Sequence, residues 1–244
     1  MVKTSSNESH QEFLFAPKET AKLRDIVELY GAVKATVLFG EEISPGNVTL
    51  PQILKELRDA FDHFMRVVAA KTNISGESSE EYIEKNLDKV FDHVFRCAYD
   101  VLDWVSIILR SRIQNELNKH SASAIAASLP TYYTTIRPRL ENIIPQEIAR
   151  IRGMKDIGAP EQRSILEYTN YVAEIRQYWE AIVNAESSLI DYSHRERKAK
   201  IRERIIVLDW CCNRSRGNNG FNHILLDYLR NLFIFFGNLR EGES

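Results

Sequence analysis

An arginine and a histidine five positions apart carry the most specific chemistry in this sequence. They are Arg58 and His63, the first and last residues of the stretch RDAFDH. Histidine titrates near neutral pH and exchanges protons, whereas arginine stays charged and presents a planar fork of donors to phosphate oxygens. Together the two residue types suit proton transfer beside an anionic group.

A hexamer that contains the same histidine occurs twice. Residues 61–66 are FDHFMR and residues 91–96 are FDHVFR, so His93 repeats the position of His63. Two helices joined by a short turn usually lie antiparallel and in contact. Buried charges are costly unless they are paired, so a polar cluster in such a contact is rarely accidental. The repeat predicts that both histidines lie in one polar cluster between two helices.

Ordinary helix packing is the competing interpretation of the repeat. Asp62 and Arg66 are four positions apart, and the second hexamer repeats this spacing. Residues at that spacing form ion pairs along a solvated helix face. Phe61 and Phe91 would then occupy the buried faces of the two helices, and the charged residues would have no chemical role.

The R-x4-H spacing, with Asp59 directly after the arginine, resembles the motif of the HEPN superfamily of small all-α proteins. Many members of that superfamily are metal-independent endoribonucleases, and the residue after their arginine is often polar. The resemblance implies that Arg58 and His63 are the catalytic pair. On an ideal helix two such positions are about 140° apart, so the side chains would line a groove where helices meet. The residues with expected supporting roles are Asp59, Asp62, His93 and Arg96.

The same resemblance implies a mode of action. Two protomers of the family usually place their motifs face to face, so we expect a homodimer or a higher oligomer. The substrate would be RNA, no cofactor would be required, and the protein would act as a toxin or an antiviral defence effector. A regulatory protein partner is also compatible with such a role.

A basic run near the C-terminal third of the chain is the expected contact with RNA. The stretch HRERKAKIRER covers residues 194–204. Phosphates would favour such a stripe of cations, although a solvated helix face is the alternative explanation. The residues that we expect to contact RNA are Arg195, Arg197, Lys198 and Arg202.

Metal chemistry is a third possibility that the spacing disfavours. Asp59 and His63 are four positions apart, as are Asp88 and Asp92. Neither pair reproduces HExxH, and the Glu-x-x-His pairs of carboxylate-bridged two-metal bundles are lacking. We therefore expect no metal site.

A non-catalytic helical module that binds a partner or senses a ligand is the main alternative to the nuclease. Long amphipathic helices and the apolar segment 224–236 favour it. Under this interpretation, substitution of Arg58 or His63 would change stability or assembly without the loss of a reaction.

The composition excludes several classes of protein. The net charge is −2, from 32 basic and 34 acidic residues, so nothing in the overall balance marks a nucleic-acid binder. Three cysteines without a CxxC pair argue against a disulfide framework and favour a reducing compartment. The polar N-terminus lacks the apolar stretch of a signal peptide, and the segment 225–239 is too short and too charged to span a bilayer. We expect a cytoplasmic protein that does not enter membranes.

Helices must position these residues. Apolar residues recur with helical spacing, and the strict alternation of apolar and polar residues that is typical of strands is rare. We expect an all-α fold, an elongated bundle of long amphipathic helices with short connecting helices. The predicted long helices cover 18–39, 51–71, 79–118, 161–210 and 221–238. The third of these would be about 60 Å long at 1.5 Å per residue, so we expect it to bend or break.

The remaining segments complete the predicted organisation. Residues 1–16 form a flexible tail, and residues 17–244 form a single all-α domain. The middle, 119–160, is rich in proline and glycine and should be irregular, with a short helix near 139–151. The stretch 211–220, CCNRSRGNNG, predicts a turn before the last helix.

Overall fold

The computed structural model describes residues 15–74, 76–154 and 162–215. Within these ranges the chain forms seven α-helices and two π-helical segments and no strand, which confirms the all-α prediction. In chain order they are α1 (Pro17–Ile43), α2 (Pro51–Lys71), α3 (Glu80–Leu117), α4 (Ala122–Ser128), π1 (Tyr132–Ile136), π2 (Arg139–Ile143), α5 (Ile144–Met154), α6 (Gln162–Asn184) and α7 (Glu186–Ser215).

Local signals set the ends of the helices that matter most. Pro51 begins α2, where its missing N–H group has no intrahelical partner to lose. The Ser79 hydroxyl caps α3 by accepting a hydrogen bond from the Tyr82 amide at 3.3 Å. The predicted ranges 51–71 and 79–118 agree with α2 and α3 to within one residue at each end.

The helix α3 is the centre of the first compact unit, which extends to Glu186. Ion pairs join Lys18 to Glu84 at 2.5 Å and Lys22 to Asp88 at 2.7 Å, so α1 runs parallel to α3. On another side, α6 also runs parallel to α3. Its hydroxyl groups bond to α3 through the pairs Tyr99–Ser164 and Asp103–Tyr168.

The central helix is continuous, so of the expected bend or break the break does not occur. Its 38 residues bury aliphatic side chains along the whole length, including Leu87, Val101, Val105 and Leu109. Helices α1, α2 and α6 all pack against it. Because partners cover it along its length, tertiary contacts stabilise a helix that local sequence alone made doubtful.

One close approach fixes the packing of α1 on α3. The six-membered ring of Trp104 lies against the backbone of Gly40, so that a Cβ atom at Gly40 would overlap it. Both residues are buried. The glycine is therefore required by contact between helices and not by a special backbone conformation.

The phenylalanines of the two hexamers have different environments. Phe91 is buried as predicted, with 6% of its surface exposed, but Phe61 is 62% exposed, so the prediction for Phe61 is wrong. The buried face of α2 is marked by Ile53, Ala60 and Val67. On an ideal helix Phe61 lies about 100° from Ala60, which turns it away from that face.

The second half of the chain differs from the expectation in two places. The predicted continuous helix 161–210 is divided, because α6 ends at Asn184 and α7 begins at Glu186. The middle contains short helices as expected, including two π-helical segments that the sequence did not predict. A second compact unit begins at Ser187 and includes most of α7. Within the ranges given above, every helix is too short or too polar to cross a membrane.

Three predicted features lie wholly or partly outside the described residues. They are the final helix at 221–238, most of the turn at 211–220, and the tail up to residue 14.

Candidate active site

The two repeated histidines meet between α2 and α3. Their rings are stacked, with centroids 5.5 Å apart and planes 19° from parallel. The antiparallel course of the helices explains the meeting, because Ile53 lies opposite Cys97 whereas His63 lies opposite Asn86. The predicted polar cluster therefore exists in this unit.

The His63 ring is oriented by Asn86. Its Nδ1 atom lies 2.9 Å from the Asn86 Oδ1 atom, and the Asn86 Nδ2 group donates to the Tyr82 carbonyl oxygen at 2.8 Å. Because that second bond assigns the amide orientation, an acceptor faces Nδ1, and Nδ1 carries the proton. In the neutral ring the lone pair is consequently on Nε2.

The His93 ring is oriented by a carboxylate. Its Nδ1 atom lies 2.8 Å from the Oε2 atom of Glu56, which is buried and also accepts from Gln52 at 3.0 Å. An ionised carboxylate only accepts hydrogen bonds, so His93 Nδ1 carries a proton. The Arg96 Nη2 atom is 3.0 Å from the same Nδ1, but two donors cannot bond to each other. Arg96 binds the carboxylate instead, with Nε 3.3 Å from Oε2.

The Nε2 atoms of both histidines remain available. Among the described residues neither atom has a hydrogen-bond partner, and neither is one of the fully enclosed unpaired polar atoms, so both reach solvent. The site thus offers two imidazoles with defined tautomers, of which one can accept a proton while the other donates one.

Arg58 lies on the other side of α2. Its guanidinium is largely exposed and donates to the Asp59 carboxylate, with Nη2 2.7 Å from Oδ1. This hydrogen bond holds the pKa of Asp59 below its ordinary value. Asp59, which has an expected supporting role, is bound to Arg58, and it is Asn86 that binds the His63 ring. Among the described contacts none joins Arg58 to His63 within one chain.

The other supporting residues divide between the surface and the cluster. Asp62 forms the predicted ion pair with Arg66 at 2.7 Å, and both side chains are at least half exposed. Arg96 belongs to the cluster through Glu56, and its Nη2 atom lies 3.0 Å from His93 Nδ1.

The basic run lies on α7, in the second unit. Lys200 pairs with Glu196 at 3.1 Å, and Arg195 lies over the Tyr192 ring at 5.8 Å from its centroid. Within the part of the chain that the structure covers, no ion pair is found for Lys198 or Arg202. Arg195, Lys198 and Arg202 share one face of the helix by their spacing, and Arg197 lies on another.

Metal ligands do not converge in the described ranges, where no group of three or more His, Cys, Asp or Glu side chains is placed to hold an ion. The Nδ1 atoms of His63 and His93 are already engaged by Asn86 and Glu56.

Sequence reasoning missed the two residues that hold the histidines. Glu56 and Asn86 each lie seven positions before a histidine, so they occupy equivalent positions before the two hexamers although their residue types differ. The pairing is reciprocal: Glu56 of α2 binds His93 of α3, and Asn86 of α3 binds His63 of α2. A longer alignment of the two segments would have identified both positions.

Comparison of the chain with protein-family models, with curated proteins and with solved structures found no match. The resemblance to the HEPN superfamily stays a prediction.

Proposed function

We propose that this chain is a HEPN-like, metal-independent endoribonuclease that acts in the cytoplasm as a toxin or antiviral defence effector. The observation that carries the proposal is the stacked pair of imidazoles, each with Nδ1 bound and with Nε2 lacking a hydrogen-bond partner among the described residues. RNA carries its own nucleophile, so an acid, a base and a cation suffice for its cleavage.

The proposed reaction uses both rings. His63 Nε2 accepts the proton of a 2′-hydroxyl group, and the 2′-oxygen attacks the adjacent phosphorus. The bond from phosphorus to the 5′-oxygen breaks, and doubly protonated His93 donates its Nε2 proton to the leaving oxygen. The products are a 2′,3′-cyclic phosphate and a 5′-hydroxyl group. Arg96, which is bound to Glu56 within the cluster, is the cation of the same chain that stabilises the phosphate. Arg58 contributes only where a second protomer brings it to the cluster.

The exposed face of α2 is where we place a second copy of the chain. Leu54, Phe61 and Met65 share this face, and they are 57%, 62% and 44% exposed. Arg58 lies within about 60° of these residues on an ideal helix. An apolar contact there would bring Arg58 of each protomer to the interface, whereas His63 stays between α2 and α3.

RNA would bind to α7 through the cations on one of its faces. Substitution of Arg195, Lys198 and Arg202 by glutamine should raise KM for RNA and flatten its salt dependence, with little effect on kcat.

The test is cleavage of mixed tRNA in the presence of EDTA. We expect the wild type to produce discrete fragments that end in 2′,3′-cyclic phosphate. The variants His63→Ala and His93→Ala should each lose about a hundredfold or more in kcat, because each lacks one proton-transfer group. His194→Ala removes an exposed histidine that lies outside the cluster but within the basic run, so as the matched control it should leave kcat unchanged whatever its effect on KM.

Two results would contradict the proposal. One is cleavage that His63→Ala and Arg58→Ala leave unchanged. The other is cleavage of RNA at the wild-type rate by a chain that is monomeric by light scattering, because it would show that no dimer is required.

A non-catalytic interaction module is the second candidate. The exposed apolar side chains of Leu54, Phe61 and Met65 favour it, because contiguous apolar surface commonly marks a contact with another protein. It predicts no cleavage by the wild type, and altered assembly on substitution of Phe61 by aspartate.

A further inference from the structure

A cleft at the C-terminal end of α3 is separate from the histidine cluster. Its volume is about 680 Å³, and its walls come from α3, α4 and the two π-helical segments. A volume of this order is typical of pockets for small molecules, which range from about 300 to 1,000 Å³. His63 and His93 do not line it.

The first polar group of this cleft is an arginine without a carboxylate partner. Arg110 is half-buried and donates to Ser106, through Nε to the carbonyl oxygen at 3.2 Å and through Nη2 to the hydroxyl at 3.1 Å. No ion pair involves Arg110 among the residues that the structure describes. Neutral oxygens hold the guanidinium in position without neutralising it, so the cleft retains a fixed positive charge that favours an anion.

The opposite wall supplies aromatic rings and a second guanidinium. Tyr132 and Tyr133 are edge to face, with centroids 5.0 Å apart. Arg137 lies 6.0 Å from the centre of the Tyr133 ring. Both Glu141 oxygens are 3.0 Å from Arg137 Nε, which leaves its terminal nitrogens without a recorded partner in the described chain.

The backbone of this wall is unusual. The Ile136 amide donates to the Thr131 carbonyl oxygen at 3.2 Å, and the Arg137 amide donates to the Tyr132 carbonyl. These bonds span five residues, as in a π-helix. Short π-helical segments are rare and occur frequently at functional sites. Here the segment places two consecutive tyrosines and Arg137 around one opening.

We propose that this cleft binds a small aromatic anion, in which a planar ring carries a phosphate or carboxylate group. Arg110 binds the anionic group, and the ring stacks on Tyr133 beside Arg137. A fixed fork of donors next to an aromatic face is complementary to both parts of such a ligand. The inference stands apart from the proposed nuclease activity.

The experiment is calorimetric titration of the full chain with three ring anions: AMP, phenyl phosphate and benzoate. Ribose 5-phosphate is the anion without a planar ring, and adenosine is the ring without an anion. We expect one or more of the three ring anions to bind at least about tenfold more tightly than either control compound. The pattern among the three identifies the source as nucleotide, aryl phosphate or carboxylate.

Variants locate the binding. Arg110→Gln should weaken it by about tenfold or more, and Tyr133→Ala by about tenfold. Lys89→Gln removes the same charge elsewhere on α3, and Tyr133→Phe retains the ring, so both should bind like the wild type. Thermal unfolding identifies variants that are folded. His63→Ala should also bind normally, which separates this site from the nuclease proposal.

The proposal is overturned if none of the ring anions binds more tightly than ribose 5-phosphate and adenosine. It is equally overturned if folded Arg110→Gln binds as tightly as the wild type.

Discussion

The His63 ring stacks on the His93 ring at 5.5 Å between centroids, and each ring is held by a residue of the opposite helix. Because each helix holds the histidine of the other, the cluster links α2 to α3. Loss of either acceptor would release a ring and leave a partly buried donor unpaired. The cluster is therefore a structural element as well as a candidate site, and its stability can be measured without a substrate.

Substitution of Glu56 should destabilise the fold. Glu56→Ala removes the acceptor of both His93 Nδ1 and Arg96 Nε, and we expect the free energy of unfolding to fall by about 2 kcal/mol. Glu56→Gln retains an acceptor oxygen, so its free energy of unfolding should fall by less. Urea denaturation measures both. Equal stability of Glu56→Ala and the wild type would show that the carboxylate does not hold the cluster together.

Substitution by alanine should have opposite effects on stability at two glycines of α1. Gly40→Ala places a methyl group in the Trp104 ring, and we expect a loss of about 1–3 kcal/mol in unfolding free energy from overpacking. Gly31→Ala meets nothing within 4 Å and should gain about 0.5–1 kcal/mol, because alanine favours the helix. Thermal unfolding of the two variants compares them directly. A loss of stability in Gly31→Ala would contradict the assigned packing of α1.

The ion pair between π2 and α6 should depend on pH. Arg139 donates to Glu174 through Nε at 2.7 Å and Nη2 at 2.5 Å, and these bonds lower the pKa of Glu174. Because the folded-state pKa lies below the unfolded one, the contribution is complete above the ordinary value near 4.5 and is lost as pH falls. Glu174→Gln should therefore lower the free energy of unfolding by about 1–2 kcal/mol at pH 7 and by much less at pH 3.

The control for this ion pair is a solvent-exposed ion pair on α6. Glu180 pairs with Arg176 at 2.8 Å, and both side chains are 53% exposed, so Glu180→Gln should change stability by less than about 0.5 kcal/mol. Urea midpoints at the two pH values test both variants. A difference for Glu174→Gln that stays constant between pH 7 and pH 3 would disprove the linkage.

The thiol of Cys97 should be inert while the chain is folded. Burial raises its pKa to about 12, and the thiolate is the reactive form. The chain contains two other cysteines, so the test uses the variant Cys211→Ser, Cys212→Ser. We expect Ellman's reagent at pH 8 to label this variant in denaturing urea and not in buffer. Rapid labelling in buffer would place Cys97 outside the core.

Helix positions were largely predictable because they depend on neighbours in the chain. The apolar spacing and the flanking Pro51 and Ser79 indicated α2 and α3 almost to the residue. The division after Asn184 was not predictable, since the helical pattern of residues 161–210 continues across it. The exposure of Phe61 was missed for a related reason: periodicity indicates an apolar face but not which part of it a partner helix covers.

The candidate site was predictable in part. His63 and His93 were found through the repeated hexamer, and their residue type indicated proton transfer. Glu56 and Asn86 were not predicted, because they lie five positions before Phe61 and Phe91 and therefore outside the repeated hexamers. The cleft beside Arg110 was not predicted as a cavity, because its walls come from segments that are separate along the chain.

Local residue order was sufficient for the helices and for the inventory of reactive side chains, since both depend on spacing within about one turn of backbone. The pairing of His63 with Asn86 and of His93 with Glu56 depends on the antiparallel alignment of two helices. That alignment is set by how their apolar faces pack against the rest of the first unit. The tertiary structure therefore determines the tautomer of each histidine and which ring nitrogen lacks a partner. These two properties determine the chemistry that the cluster can perform.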